Sequence, residues 1–384
     1  MSAEALRAPG TETREDVEYY VPEFRIEVEG EPLAPETHGD VLDLKVTLET
    51  DKTSSFDITL NNWDDEKVWP GFKYSDSKQL MIGNLVRIEL GYVSRLRQVI
   101  HGPITGISPR FVESGALTVS ISGKDSLEFL KARKPAPGDR KKFVKMTDTQ
   151  IAREIALRNK LNFKGDDSEI VQDVIYQKNL DDGQFLIERA RRIDFDCVVR
   201  VEGKSTQPTL YFVKHRGERS AEPTREYTFE WRRSLSSFTP RLSADRQVSA
   251  VTVRGWDPRT KKPIVGKATA NDLPPSARPK TTSGANIAKK RFGDRQNLIV
   301  DRPVSSQREA RELAISILRE RATRFNTGHA QVIGIADLFP RDKVQLLGLG
   351  DRFSGQYEVK RVEHSLGSSG FTTGFDVESE HCGE

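Results

Sequence analysis

One pattern is written twice in this chain, and it narrows the folds open to it more than any other feature. In Arg341 to Val377, RDKVQLLGLGDRFSGQYEVKRVEHSLGSSGFTTGFDV, three period-two runs are set between turn residues: Val344, Leu346 and Gly348; Gly355, Tyr357, Val359 and Val362; Phe371, Thr373, Phe375 and Val377. Successive side chains of a strand point to opposite faces, so each run reads as a strand with one face buried. Gly83 to Gly123 has the same layout, with Val86, Ile88, Leu90 and Gly91, then Gly102, Ile104 and Ile107, then Leu117, Val119 and Ile121. Two related β units are expected, although alternation between glycine turns is also what any two antiparallel β domains share.

The 384 residues leave room for two or three domains, at about 150 residues each. Hydrophobic residues make up 36% and charged residues 30%, and the sequence contains no apolar run of the ~18 residues that a membrane-spanning helix needs. The N-terminus, MSAEALRAPGTETREDVEYY, is polar and acidic; it lacks the basic-then-apolar order of a secretory signal and reads as a flexible arm over residues 1–20. Two cysteines, Cys197 and Cys382, are too few for a disulfide framework and fit synthesis in a reducing cytoplasm. Cys197, in DFDCVVRV, reads as a packed strand residue.

The formal net charge is only +3, but it is unevenly spread. Asp257 to Gln296 holds ten Lys/Arg against three Asp, and Lys131 to Lys145 seven against one. Solvated loops account for such segments, and so does contact with an acidic partner chain or with nucleic acid. The longer one, 257–297, is expected to be a basic loop, of a length that is usually functional or disordered.

Along the chain, a first β unit occupies 21–131, beginning at Pro22 and continuing through LDLKVTLET and SSFDITLNNW. The Pro135, Pro137 and Gly138 cluster marks a boundary. An α/β segment follows over 132–206. Its first helix spans Thr147 to Asn162, with Thr147 as N-cap, Gln150 as reciprocal partner, and Ile151, Ile155 and Leu161 inward. Its second runs from Asp181 to Asp194 on Leu186, Ala190 and Ile193. TLYFVKHR and REYTFEWRR are strand-like, and a second β unit covers 234–384. Its helix, Ser306 to Phe325, has a Ser306/Glu309 capping box and one apolar face, Ala310, Leu313, Ala314, Ile317 and Leu318. That helix is expected to cross the second β unit with Arg308, Arg311, Arg319 and Glu320 outward.

No chemistry-bearing constellation stands out. The histidines, at 38, 101, 215, 329, 364 and 381, show no HExxH-like metal spacing. His101 and His364 read as packed or locally hydrogen-bonded. The acidic turn Asp64, Asp65 and Glu66 beside Trp63 has the residue types of a glycosidase pair, but consecutive acids in a turn are ordinarily solvated. GLGDRFSG departs from a dinucleotide loop at Phe353, with no helix after it, and SGKDS departs from a phosphate loop at Thr118. No G-x-S-x-G elbow is present. No catalytic, cofactor-binding or metal-ligating residue is therefore assigned, and no cofactor is expected. The glycines Gly348, Gly350 and Gly355 mark either a turn near a partner or a turn that needs glycine for its backbone.

The run GLGDRFSGQYEVKRVEHS with the later FTTGFDV resembles the C-terminal signature of the late control protein D family of contractile-tailed phages. FDITLNNWD at Phe56 to Asp64, GNLVRIELGY with GPITGISPRF, TDTQIAREIA, and VSAVTVRGWD with PVSSQREARELA extend the resemblance from about Pro22 to Val377. It implies an α+β, mainly β fold: two related antiparallel β-barrel domains with an inserted α/β domain, the first barrel completed by 207–233. It also implies a structural baseplate hub, not an enzyme, acting as a homotrimer that adapts a sixfold tail tube to a threefold spike. The implied partners are the central spike protein, the first ring of tail tube protein, other baseplate proteins and the tape-measure protein, in a virion tail baseplate or assembled injection particle, with no membrane insertion and no sequence-specific nucleic acid. Type VI secretion spike proteins, which share the hub fold, continue into an OB-fold and a needle; this sequence stops at Glu384, so a separate spike is expected. Two other readings stay open. A wall-degrading enzyme predicts peptidoglycan turnover that depends on one carboxylate, and a nucleic-acid module acting through the basic segments predicts steeply salt-dependent binding. Phe143, Trp256 and Phe292 alone supply the aromatic content of those segments.

Overall fold

The structure, a computed structural model, describes residues 21–50, 52–64, 71–93, 95–131, 141–201, 207–214, 225–273 and 281–383. The expected N-terminal arm, residues 1–20, lies outside them, as do Asp65 and Glu66 of the acidic turn, His215 and residues 132–140.

The first unit contains β1 (Pro22–Val28), β2 (Glu31–Pro32), α1 (Pro35–Gly39), β3 (Val41–Glu49), β4 (Ser55–Asn61), β5 (Leu85–Tyr92), β6 (Arg95–Arg110), β7 (Thr118–Lys124) and α2 (Glu128–Lys131). The α/β segment contains β8 (Lys141–Thr147), α3 (Asp148–Arg158), β9 (Asn162–Gly165), β10 (Val171–Gln177), α4 (Asp182–Arg192), β11 (Phe195–Arg200) and β12 (Thr209–Lys214). After these come β13 (Glu226–Glu230), β14 (Leu235–Leu242), β15 (Ala250–Asp257), β16 (Lys262–Thr269), β17 (Thr281–Ser283), α5 (Gly284–Phe292), β18 (Gln296–Ile299) and α6 (Gln307–Thr323). The chain ends with β19 (Asn326–Ile333), β20 (Lys343–Leu347), α7 (Gly350–Phe353), β21 (Gly355–Gly367), β22 (Gly370–Ser379) and β23 (His381–Gly383).

All six alternating runs fall on strands, except that Gly348 lies just past β20 and Leu117 just before β7, and the two triplets have the same topology. β5, β6 and β7 form an antiparallel meander, and so do β20, β21 and β22. The fold is mainly β with predominantly antiparallel pairing. The two units do not form separate rings. β3 of the first pairs antiparallel with β21 of the second, from Leu44↔Leu366 to Glu49↔Arg361. One 13-stranded sheet therefore runs β14–β19–β22–β21–β3–β4–β7–β6–β5–β1–β2, with β13 and β20 branching from β21. Among the described residues this ladder closes into no barrel. Its inward faces share one core, in which Leu44, Phe56, Ile88 and Ile121 of the first unit join Val344, Val362 and Phe375 of the second. Alternation sets which face each strand buries, but the choice of strand neighbour is made by contacts between distant segments.

A second core lies under α3 and α4, where Ile151, Ile155, Phe185 and Leu186 pack on Phe143, Leu210 and Phe212. Thr147 caps α3 with a reciprocal Gln150 box, and Asp181 caps α4. The helices are clamped at both ends. Arg189 holds Asp148 with bonds of 2.6 and 2.9 Å, and Arg158 Nε donates to Asp182 at 3.0 Å. Each carboxylate lies at a helix N-terminus and each arginine in a last turn, as the helix dipoles favour.

Two expectations about this region are corrected. β12 does not complete the first unit; it lies between β9 and β11, and residues 209–213 are all buried, so it needs neighbours on both sides. β13 pairs in parallel with β20 of the second unit.

A third core joins α6 to the sheet β16–β15–β18 through Val251, Val253, Ile264, Ala310, Leu313 and Ile317. α6 thus covers this small sheet instead of crossing the large one. The strand and helix approach closely at Gly266, where a Cβ would fall 2.2 Å from the Ala310 carbonyl carbon. Residues 257–297, expected as a loop, carry β16, β17, α5 and part of β18; Ile264, Gly266 and Ala268 alternate inward at strand spacing beneath the lysines. The α6 cap also differs from expectation. Ser306 accepts from the Glu309 amide, but the Glu309 carboxylate turns to the Ser305 amide at 2.8 Å and to Arg192 of α4 at 3.1 Å. Arg319 is mostly buried against Asp194, not outward. Both departures have the same cause: α6 abuts the α/β segment, and the carboxylates and guanidinium groups between them pair across that contact. Among the described residues no helix is long and apolar enough to cross a membrane.

Candidate functional site

A cavity of about 530 Å³ is lined by β3 and β6 of the first unit, β11 of the α/β segment and the segment Asp337 to Asp342. Charge pairing dominates its walls. Arg341 Nε lies 2.6 Å from Asp196 Oδ2, with both side chains almost fully buried, and Arg341 Nη2 donates to the Lys214 carbonyl at 2.7 Å. Arg341 also has φ of 81°, a left-handed conformation that costs a non-glycine residue about 1–3 kcal/mol and persists only where its surroundings hold it. Asp337 is bracketed by Arg97 at 3.0 Å and Arg225 at 3.5 Å. Asp342 accepts the amides of Arg225 and Phe339, both at 2.9 Å, yet burial pushes its carboxyl up to about 6. Asp125 behaves alike: it accepts the Ser54 and Leu127 amides at 2.8 and 3.0 Å, and burial raises it to about 6. These carboxylates tie chain segments together. The cavity is chemically a junction held by backbone amides and guanidinium groups.

The residues singled out from sequence are scattered, not convergent. His364 is fully buried, with Nδ1 3.1 Å from Thr373 Oγ1, and burial lowers its pKa to about 4. His101 is lowered to about 4 by burial and then by Arg87. Its Nδ1 lies 3.1 Å from Ser126 Oγ, but Ser126 is 1% exposed and donates its hydrogen to the His101 carbonyl at 3.0 Å, so the pair is a local fastening. His38 stacks on Phe24 at 4.1 Å, and His329 Nδ1 lies 2.8 Å from Asp376. Among the described residues no group of three His, Cys, Asp or Glu could hold a metal. Asp64 is buried and its amide donates to the Gly71 carbonyl. Cys197 and Cys382 are both buried and free of disulfide, and burial drives the Cys197 thiol far above its usual range.

GLGDRFSG turns beside Trp231. Gly348 and Gly350 have φ of 77° and 74°, whereas Gly355 does not need positive φ. The turn is fastened by the Trp231 amide to Leu347 O at 3.0 Å and by Leu349 N to Ser354 Oγ at 2.9 Å. A short helix, α7, lies within this stretch, where the sequence reading expects none, but it is a single turn from Gly350 to Phe353 with no side-chain cap. Of the basic segment 131–145, Lys131 pairs with Glu128 at 2.7 Å and Lys141 with Glu154 at 3.9 Å. Sequence reasoning missed the junction carboxylates Asp125, Asp196 and Asp342, and Arg341, which pairs with Asp196. The partners come from different parts of the chain, and no local spacing announces them.

Residues 19–368 match the family described as the Alg8 N-terminal domain. No curated protein matches the sequence. The fold is similar to that of a 43 kDa tail protein of prophage MuSo2 from Shewanella oneidensis, at a TM-score of 0.66 and 15% identity over 93% of this chain and 98% of that one. It is similar to a tail protein from Neisseria meningitidis at 0.64 and 13% identity, over 94% and 97%. An Escherichia coli component of the type VI secretion system matches at 0.56 and 12% identity, over 92% and 76%.

Proposed function

We infer, on the premise that this chain belongs to the Alg8 N-terminal domain family and shares its fold with phage tail proteins, that it is a structural hub of a contractile tail or related injection particle. The observation that carries this reading is a fold shared end to end with tail proteins, so that no large part of the chain is left over for a separate activity. The role is structural, not catalytic.

In its finer form the reading is that of the late control protein D hubs. Residues 21–131 and 234–384 are the two tube-side β domains, 132–206 the inserted α/β domain, and three copies assemble about an axis. Two like meanders per chain then present six like units to the tail tube, while the threefold end receives a separate spike. The pairing of β3 with β21 supports this, because it fixes the two meanders rigidly relative to each other. Other baseplate proteins and the end of a tape-measure protein complete the partners, and the assembled particle is the site of action. The interface this requires buries roughly 2,000 Å² or more.

Light scattering on the purified chain, alone and mixed with its spike protein, tests the reading. A mass of three times 43.3 kDa for the chain alone, or that mass plus the spike's in the mixture, is expected. A monomer that ignores the spike overturns it.

A further inference from the structure

The small sheet β16–β15–β18 has one face under α6 and, among the described residues, one face bare. Register puts Arg254 opposite Val265, Trp256 opposite Pro263, and Thr252 opposite both Lys267 and Leu298. Residues paired in register share a face, so these side chains stand together on the side away from Val251, Val253 and Ile264. Trp256 is 59% exposed, Leu298 53% and Val265 41%, with Arg254 and Lys267 exposed between them. Asp294, bonded to Ser249 and Gln296, has its carboxyl further depressed by Lys289 and Lys267, which places the lysine-rich end of α5 beside this face. Described residues 250–300 carry nine Lys/Arg against three Asp. An apolar patch of this kind, rimmed by one sign of charge, is a docking surface needing an acidic complement.

That complement is present elsewhere on the same molecule. Residues 21–43 carry seven Asp/Glu against one Arg. Glu27 is paired with Arg87, and Asp40 with Lys73, but Glu31, Glu36 and Asp43 are exposed and make no ion pair among the described residues. They are spread along β2, α1 and the start of β3, a stretch that also carries Leu42, 46% exposed, and β2 pairs only with β1 among the described residues. β2 ends the 13-stranded sheet on one side; β14 ends it on the other and leads directly into β15. Among the described residues no hydrogen bond or ion pair joins 21–43 to 250–300. Two complementary surfaces in different parts of the fold, each with charges that make no ion pair among the described residues, are the arrangement of a head-to-tail contact that closes a ring.

We propose that the basic Trp256 face of one copy docks on the acidic β2–α1–β3 segment of a second copy. This rests on the homo-oligomeric hub reading and specifies its interface. Unpaired carboxylates and a bare strand edge are covered by Arg254, Lys267 and the apolar residues between them.

The test uses the full chain and two charge-reversed variants, Arg254→Glu with Lys267→Glu, and Glu31→Lys with Asp43→Lys, each first shown to melt as the wild type does. Sedimentation of each variant alone is expected to show the concentration for half-assembly raised about tenfold or more, because like charges then face each other. Mixing the two variants is expected to restore assembly, since one reversed face then meets its reversed complement. Trp256→Ser, which leaves the charges in place, is expected to weaken assembly too. If the wild type assembles and both reversed variants assemble equally well, the proposed interface is wrong while the hub reading stands. If the wild type remains a monomer alone and with the spike protein, both fall.

Discussion

Arg341 and Asp196 meet at 2.6 Å with 3% and 7% of their side chains exposed, and so fasten the entry to β20 onto β11 of the α/β segment. Removing one partner strands a buried charge, which costs more than the intact pair contributes. Asp196→Ala is expected to lose about 3–5 kcal/mol of unfolding free energy, read as a lower urea midpoint at unchanged slope. Asp196→Leu combined with Arg341→Met is expected to be milder than Asp196→Ala alone. If Asp196→Ala unfolds at the wild-type midpoint, the pair does not fasten the two parts.

Acid should weaken the fold through His101 and His364. Both pKa values are lowered from 6.5 to about 4 in the folded chain. Between those values the unfolded chain binds more protons, so stability that is complete above pH 6.5 is lost as pH falls through 4. The shift corresponds to roughly 3 kcal/mol per imidazole. Urea titrations at pH 7 and pH 4 on His364→Asn are expected to show a smaller loss than in the wild type.

Asp125 has the opposite sign. Its carboxyl is raised from 3.8 to about 6, so its contribution is complete below the unfolded value and lost as pH rises through 6. Relative to the wild type, Asp125→Asn is expected to lose more stability between pH 7 and pH 4, by roughly 3 kcal/mol. An unchanged difference would mean that the carboxyl is ionised throughout.

At Gly266 a methyl group would overlap the Ala310 backbone, which cannot rotate aside. Gly266→Ala is expected to cost about 1–3 kcal/mol or more and to lower the thermal midpoint, whereas Gly355→Ala, with open space around it, is expected to be nearly neutral.

A milder loss follows from the α6 cap. Ser306→Ala removes the acceptor for the Glu309 amide and is expected to cost about 1 kcal/mol; Glu309→Gln should cost more, because the carboxylate also holds Arg192.

Local chemistry wrote much of this fold into the sequence. The alternating runs named their strands, Thr147, Asp181 and Ser306 named the starts of three helices, and Ala310, Leu313, Ala314 and Ile317 named the buried face of α6. Each signal spans a few residues, and the forces behind it act over the same span. The exposed basic face is legible in the sequence as composition but not as strand, because clustered lysines mask the alternation of Ile264, Gly266 and Ala268 beneath them.

Tertiary structure alone decided the rest. Period two states that a strand has an inside, but not which strand lies beside it; the β3–β21 ladder that turns two units into one sheet depends on Leu44 meeting Leu366 across most of the chain. The same holds for Arg341 and Asp196, and for the burial that moves Asp125, Asp342, His101 and His364. Pairing between distant segments and the loss of water around a charge are properties of the assembled chain, and no stretch of sequence carries them.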